Sequence, residues 1–249
     1  MADELESIIS SELSLLAKER ALEATQHQGA LLSVQQQSVK IEHELSQYVQ
    51  YAKRRCKEGF QYSIEAVSTL AKTDASIDLE AFRTNISEAF SRFETTARVL
   101  EMSAQAAQGT SWRVLLGLTD ETMKWLYQGA KSLFDSGQFP EAEAAFFFLT
   151  TVDVSQHAFW LGLGHAAFRL GNLNQAINSY ETADLCQPKA IWPHIYIANC
   201  FEAMNDFEES YRALEVANKE CAEAASHGKQ QAELEKSIQE RVLKAKARL

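Results

Sequence analysis

Three stretches of this 249-residue chain carry the same punctuation at intervals of 34 residues. They read FDSGQFPEAEAAFFFLTTVDV (134–154), FRLGNLNQAINSYETADLCQP (168–188) and EAMNDFEESYRALEVANKECA (202–222). Placed in register, Gly137, Gly171 and Asn205 form one column, and Phe139, Leu173 and Phe207 a second. Ala142, Ala176 and Ser210 follow, then Phe146, Tyr180 and Leu214. A residue that accepts a left-handed turn, a small residue where helices approach, and a bulky apolar group one turn later together dictate a helix–turn–helix unit. Such a unit cannot bury its apolar side alone, so it stacks on its neighbours.

A helical hairpin repeating every 34 residues is the tetratricopeptide period. The spacing predicts repeats over 123–156, 157–190 and 191–224, with Trp160, Leu163, Gly164, Ala176, Tyr180, Ala183 and Pro188 marking the middle unit. Pro193 falls in the first turn of the third unit, where its missing N–H removes no helical hydrogen bond. A charged amphipathic segment with Leu234, Ile238 and Val242 on one stripe predicts a capping helix over about 225–249. Solenoids need one because the last repeat would otherwise expose its apolar face.

The first half predicts helix too. No proline precedes Pro140, and the stretch is rich in Ala, Leu, Glu, Gln and Lys. Residues 3–24 carry Leu5, Ile9, Leu13 and Leu16 on one side. Residues 31–52 hold a heptad seam at Leu31, Val34, Ser38, Ile41, Leu45, Tyr48 and Ala52, continued at Phe60, Ile64, Val67 and Ala71. After a break at KTDASID (72–78), a second stripe runs through Leu79, Phe82, Ile86, Phe90, Phe93, Ala97, Leu100 and Ala104. The expected architecture is all-α: a long helical hairpin or coiled-coil region over 1–108, then a three-repeat solenoid over 109–249. Between them, Trp112–Leu116 is expected as a short apolar turn, with Thr119 or Asp120 capping the first repeat helix. The seam serves either packing within the chain or self-association.

Composition narrows the functions available. The net charge is −10, and residues 120–218 hold 5 basic against 13 acidic side chains. Phosphate backbones demand clustered Lys and Arg, so nucleic acid is not an expected partner. No apolar run is long enough to span a bilayer, and the acidic start MADELESIIS is unlike a signal peptide. A cytoplasmic chain without membrane insertion is therefore expected. Cys56, Cys186, Cys200 and Cys221 form no C-x-x-C pair and are expected as reduced, mostly buried thiols. The six histidines show no metal-ligand spacing, and His194 takes a column that usually packs. Neither a phosphate-cradling glycine loop nor a nucleophile elbow occurs. The expectation is a non-enzyme without cofactor or metal.

What remains is a binding face. In a tetratricopeptide array, positions 2, 5, 9, 12 and 13 of each repeat face the groove. They are Lys124, Tyr127, Lys131, Phe134 and Asp135 in the first unit, and Ala158, Leu161, His165, Phe168 and Arg169 in the second. The third supplies Trp192, Ile195, Asn199, Glu202 and Ala203. This mixture suits an extended peptide with apolar anchors and main-chain hydrogen bonds to groups such as Asn199. A carboxylate clamp would need Lys and Asn at positions 5 and 9 of the first repeat, where Tyr127 and Lys131 stand, and basic residues at positions 2 and 6 of the third, where Trp192 and Tyr196 stand, so that mode is missing.

The segment LLGLTDETMKWLYQGAKSLFDSGQFPEAEAAFFFLTTVD resembles the first repeat of the class II (translocator) chaperones of bacterial type III secretion. FWLGLGHAAFRLGNLNQAINSY resembles the second and PHIYIANCFEAMNDFEES the third, so the resemblance runs from about 109 to 220. It implies a chaperone, cytoplasmic in a Gram-negative bacterium, that keeps a secreted translocator-like client soluble and export-competent. The client's extended apolar segment would lie in the groove, against Tyr127, Lys131, Phe134, Leu161, His165, Phe168, Ile195 and Asn199. Members of that family usually have a short N-terminal arm, whereas about 108 residues precede the repeats here. That region would form a homodimer contact, bind a second component, or fold over the client. The other reading is an adaptor joining two proteins of a secretion or other cytoplasmic assembly.

Overall fold

A computed structural model describes residues 14–18, 20, 21, 34–93, 95–223 and 229–248. Among these the structure is helical throughout, with no strand. Residues 14–18, 20 and 21 are helical. Then come α1 (Val34–Leu70), α2 (Leu79–Ser91), α3 (Thr96–Ala107), α4 (Trp112–Leu116), α5 (Asp120–Asp135) and α6 (Phe139–Val152). They are followed by α7 (His157–Arg169), α8 (Leu173–Cys186), α9 (Ile191–Ala203), α10 (Phe207–Glu223) and α11 (Lys229–Lys246). No described helix is long and apolar enough to cross a membrane.

The chain forms two compact units that do not follow its linear order. One takes in the described residues up to Lys57 together with Glu80–Thr122; the other takes Glu58–Leu79 and Met123 onward.

In the first unit, the interval before the repeats is built on α2. Asn85 donates from Nδ2 to the Gly117 carbonyl (3.0 Å) and accepts from the Thr119 amide (3.1 Å). Arg92 donates to the Leu115 carbonyl at 3.1 Å. These bonds satisfy backbone groups at the end of α4, a helix too short to satisfy its own. The expected single stripe over 79–104 is two helices. Residues Arg92 and Phe93 turn back on Ala89 and Phe90, and Thr95 caps α3 by accepting from the Arg98 amide at 3.2 Å. The hydroxyl next to the backbone offers a cap that competes with continued helix.

Leu5, Ile9 and Leu13 of the expected first helix, and Leu31 of the seam, lie outside the described residues. Leu16 is exposed, while Ala17 and Ala21 are the buried positions there. Along the seam Ser38 is buried, Ile41 and Leu45 are half-buried, and Tyr48 is 62% exposed.

The second unit contains the repeats, and the glycine column explains their turns. Gly137, Gly171 and Asn205 all take left-handed backbone, with φ of 82°, 78° and 61°. At each, the next residue's amide returns to the last helical turn: Gln138 to Leu133, Asn172 to Ala167 and Asp206 to Phe201, at 2.9 Å each. These are Schellman closures, three times over. Thr119, rather than Asp120, caps the first repeat helix by accepting from the Thr122 amide at 3.1 Å.

Helix α7 packs against both α6 and α8, and the FWLGLG segment shows how. A Cβ on Gly162 would sit 2.3 Å from the Phe146 ring, and one on Gly164 would sit 2.4 Å from the Tyr180 ring. Each glycine is the seat for an aromatic of a neighbouring second helix. The same device joins residues 58–70 to the first repeat. A Cβ on Gly59 would lie 1.9 Å from the Ala144 carbonyl oxygen, and one on Gly129 would be 3.2–3.3 Å from Ser63, Ala66 and Val67. Phe60 meets Phe148 edge to face at 5.3 Å. The C-terminal part of α1 thus covers the open side of repeat one. At the other end α11 covers repeat three, burying Ile238 with Ala217 and Cys221.

Substitution at the turn column isolates backbone strain, because Gly137 and Gly171 have open space where a Cβ would go. Gly171→Ala is expected to cost about 1 kcal/mol in urea unfolding, and Asn205→Gly to be neutral or stabilising by a few tenths. Ser210 is fully buried and its hydroxyl has no hydrogen-bond partner. Ser210→Ala restores the column's alanine and is expected to raise stability by about 1 kcal/mol in the same assay.

Candidate peptide-binding groove

The expected groove residues come from the first helices of the repeats, α5, α7 and α9. Amphipathic spacing turns positions 5, 9 and 12 to one side, one above another along each helix. Lys131 is exposed and ion-paired with Asp135, one turn on. That hydrogen bond holds the Lys131 ammonium above its usual pKa. Both charges belong to the expected face, so they offset each other there.

The structure joins three of the expected groove rings, Phe134, His165 and Trp192, to two residues not placed there by the sequence, Tyr180 and Tyr196. Phe134 meets His165 at 6.3 Å between ring centroids, His165 meets Tyr196 edge-on at 4.5 Å, and Tyr196 stacks on Trp192 at 5.9 Å. Tyr180 closes the set against both His165 (5.5 Å) and Tyr196 (5.2 Å). The rings step across α5, α7 and α9. Trp192, 49% exposed, is the open end of the row. Arg169 lies over the Phe139 ring at 4.1 Å, beside Phe134. Leu161 and Phe168 are half-buried and pack on the core of the second and third repeats.

Other expected residues lie elsewhere. Tyr127 sits in a separate group with Phe146 (6.1 Å) and Phe159 (5.8 Å). Ile195 is only 7% exposed and packs in the cluster with Ala217, Cys221 and Ile238. Asn199 accepts from Arg241 of α11 at 2.7 Å, and Glu202 from the same guanidinium at 3.2 Å. The capping helix therefore covers the part of the face around Ile195, Asn199 and Glu202, while Trp192 stays open. Nothing local signals this, since the partners are about forty residues apart in sequence. Tyr196 stands one position from Ile195, where the sequence reading saw only a missing clamp residue.

His165 is the one titratable group in the aromatic row near neutral pH. Its Nδ1 and the Tyr180 hydroxyl are hydrogen-bonded at 2.8 Å. Burial holds the imidazole below its ordinary value of 6.5, and burial likewise pushes the Tyr180 phenol upward. The surface formed is apolar and aromatic, with a neutral imidazole at its centre. It can sandwich apolar side chains, and it offers no nucleophile paired with a base.

A depressed histidine binds fewer protons folded than unfolded, so stability rises with pH through that window. The contribution is complete above about pH 6.5 and lost progressively as pH falls below it. Urea midpoints measured between about pH 5 and 7 should show this slope, and His165→Gln should flatten it.

No protein-family model matches the chain, and no curated protein matches it. Solved structures do. A T3SS complex from Aeromonas hydrophila aligns at 22% identity with a TM-score of 0.54, covering 59% of this chain and 96% of that one. The type III secretion translocator chaperone SycD of Yersinia enterocolitica aligns at 22% identity and 0.49, covering 54% and 97%. PcrH from Pseudomonas aeruginosa aligns at 23% and 0.46, covering 51% and 95%. At these identities the likeness is one of fold, and the Aeromonas comparison carries it: about three fifths of this chain shares the fold of a chain in that complex.

Proposed function

We propose that this protein is a non-enzymatic type III secretion chaperone that holds an extended apolar segment of a secreted, translocator-like client. The observation that carries the reading is the half-exposed aromatic row from Phe134 through His165 and Tyr196 to Trp192. Polypeptide segments with spaced apolar anchors bind such a row through ring stacking and aliphatic burial. The resemblance of the 109–220 sequence to translocator chaperones and the fold shared with the Aeromonas complex support the same reading. The mechanism is holding: covering the client's apolar segment removes the surface through which it would self-associate. No nucleotide or other cofactor enters it. The working anchors are Phe134, Leu161, His165 and Phe168 with Lys131 at the rim; Tyr196 and Trp192 extend the row. A second contact through residues 1–108, with another copy or another component, is favoured by Val39 and Tyr48, 64% and 62% exposed on α1.

The test is affinity capture of the full chain from its own cells, with bound proteins identified by mass spectrometry. A secreted protein containing an apolar segment should co-purify, and Trp192→Glu combined with Lys131→Glu should reduce its recovery at least tenfold while helicity is kept. Equal recovery by both proteins would show that this face is not the client site.

A further inference from the structure

Three helices of the repeat unit converge on a cluster outside the aromatic row. Asp184 lies in the last turn of α8, His194 in the first turn of α9 and Glu220 in the last turn of α10. His194 Nε2 is 3.6 Å from Asp184 Oδ1 and 3.5 Å from Glu220 Oε1. One ligand-competent atom from each residue falls within 4.8 Å of the other two. The three side chains are only 27%, 16% and 14% exposed. Asp184 Oδ1, His194 Nε2 and Glu220 Oε2 are all buried without a hydrogen-bond partner.

The distances are too long for good hydrogen bonds, which run at about 2.7–3.2 Å. They match another geometry. A zinc-type ion held at about 2.0–2.2 Å by imidazole and carboxylate in tetrahedral array keeps its ligands about 3.3–3.6 Å apart. Electrostatics points the same way. Two part-buried carboxylates beside one imidazole repel each other, and a divalent cation balances them. Lys189, the nearby base, pairs with Glu223 at 3.5 Å.

The repeat itself supplies an internal comparison. The residues 34 positions earlier are Thr150, Trp160 and Cys186. There the indole N–H and the thiol both donate to the Val154 carbonyl, at 2.7 and 3.3 Å. A junction otherwise closed on a backbone carbonyl carries three ligand-type side chains at its next occurrence.

We propose that Asp184, His194 and Glu220 bind a first-row divalent cation of the zinc type, which clamps the second repeat to the third. Partial exposure leaves a solvent side for a fourth ligand, as in three-residue zinc sites.

Chelator-stripped full-length protein titrated with Zn²⁺ by calorimetry should bind one equivalent and gain thermal stability. His194→Gln and Glu220→Gln should each weaken that binding at least tenfold. With Co²⁺ the unmodified chain should give the visible absorption of a four-coordinate site and no thiolate charge-transfer band, a readout that does not depend on the variants folding. The absence of stoichiometric Zn²⁺ binding would overturn the proposal, as would binding that both folded variants retain or a thiolate band in the Co²⁺ spectrum. A protonated His194 bridging the two carboxylates would appear as variants that lose stability while the unmodified chain ignores zinc.

Discussion

The closeness with which α7 lies between α6 and α8 governs the repeat array. Gly162 and Gly164, on one helix, leave the spaces that the Phe146 and Tyr180 rings fill. Were either space closed, the second helices of repeats one and two would be pushed from α7 by the thickness of a side chain. The cost of such overpacking is about 1–3 kcal/mol, a large share of the net stability of most domains. Because Tyr180 is locked there, its hydroxyl reaches His165 and its ring braces Tyr196. The packing of the scaffold and the shape of the aromatic row are thus one set of contacts.

Both ends of the array are closed, by different means. Residues 58–70 approach repeat one through Gly59 and Gly129, so backbone nearly touches backbone. Helix α11 closes repeat three with a conventional apolar stripe around Ile238 and a polar clasp from Arg241 to Asn199 and Glu202. The clasp changes which side chains are exposed. It removes Ile195 and Asn199 from the face that a regular repeat would offer, and leaves Trp192 and Tyr196 as the third repeat's contribution. A client segment on this face would therefore be read mainly by aromatic surface, with few amide contacts.

The turns and the small-residue columns were legible in the sequence, because each is a local rule recurring every 34 residues. Of the candidate groove, position within the repeat brings Phe134 and His165 into one row of rings, while Leu161 and Phe168 pack on the core. Ile195 and Asn199 occupy equivalent positions yet are covered, since what covers them comes from a helix the period does not describe. The second stripe read as one helix for a related reason: apolar spacing continues across Arg92–Thr95, while the turn at Arg92 and Phe93 and the cap at Thr95 separate α2 from α3.

By itself the sequence determined an all-helical chain, a three-unit array and left-handed turns at Gly137, Gly171 and Asn205. All of these follow from backbone sterics and helical periodicity, which act over a few residues. The tertiary structure decided which side chains share a surface. It drew Tyr196 into the aromatic row, withdrew Ile195 from it, seated α1's second half on repeat one, and brought Asp184, His194 and Glu220 together from three helices. Those outcomes depend on contacts between residues 10 to more than 80 positions apart, and no local pattern encodes which distant surface will arrive.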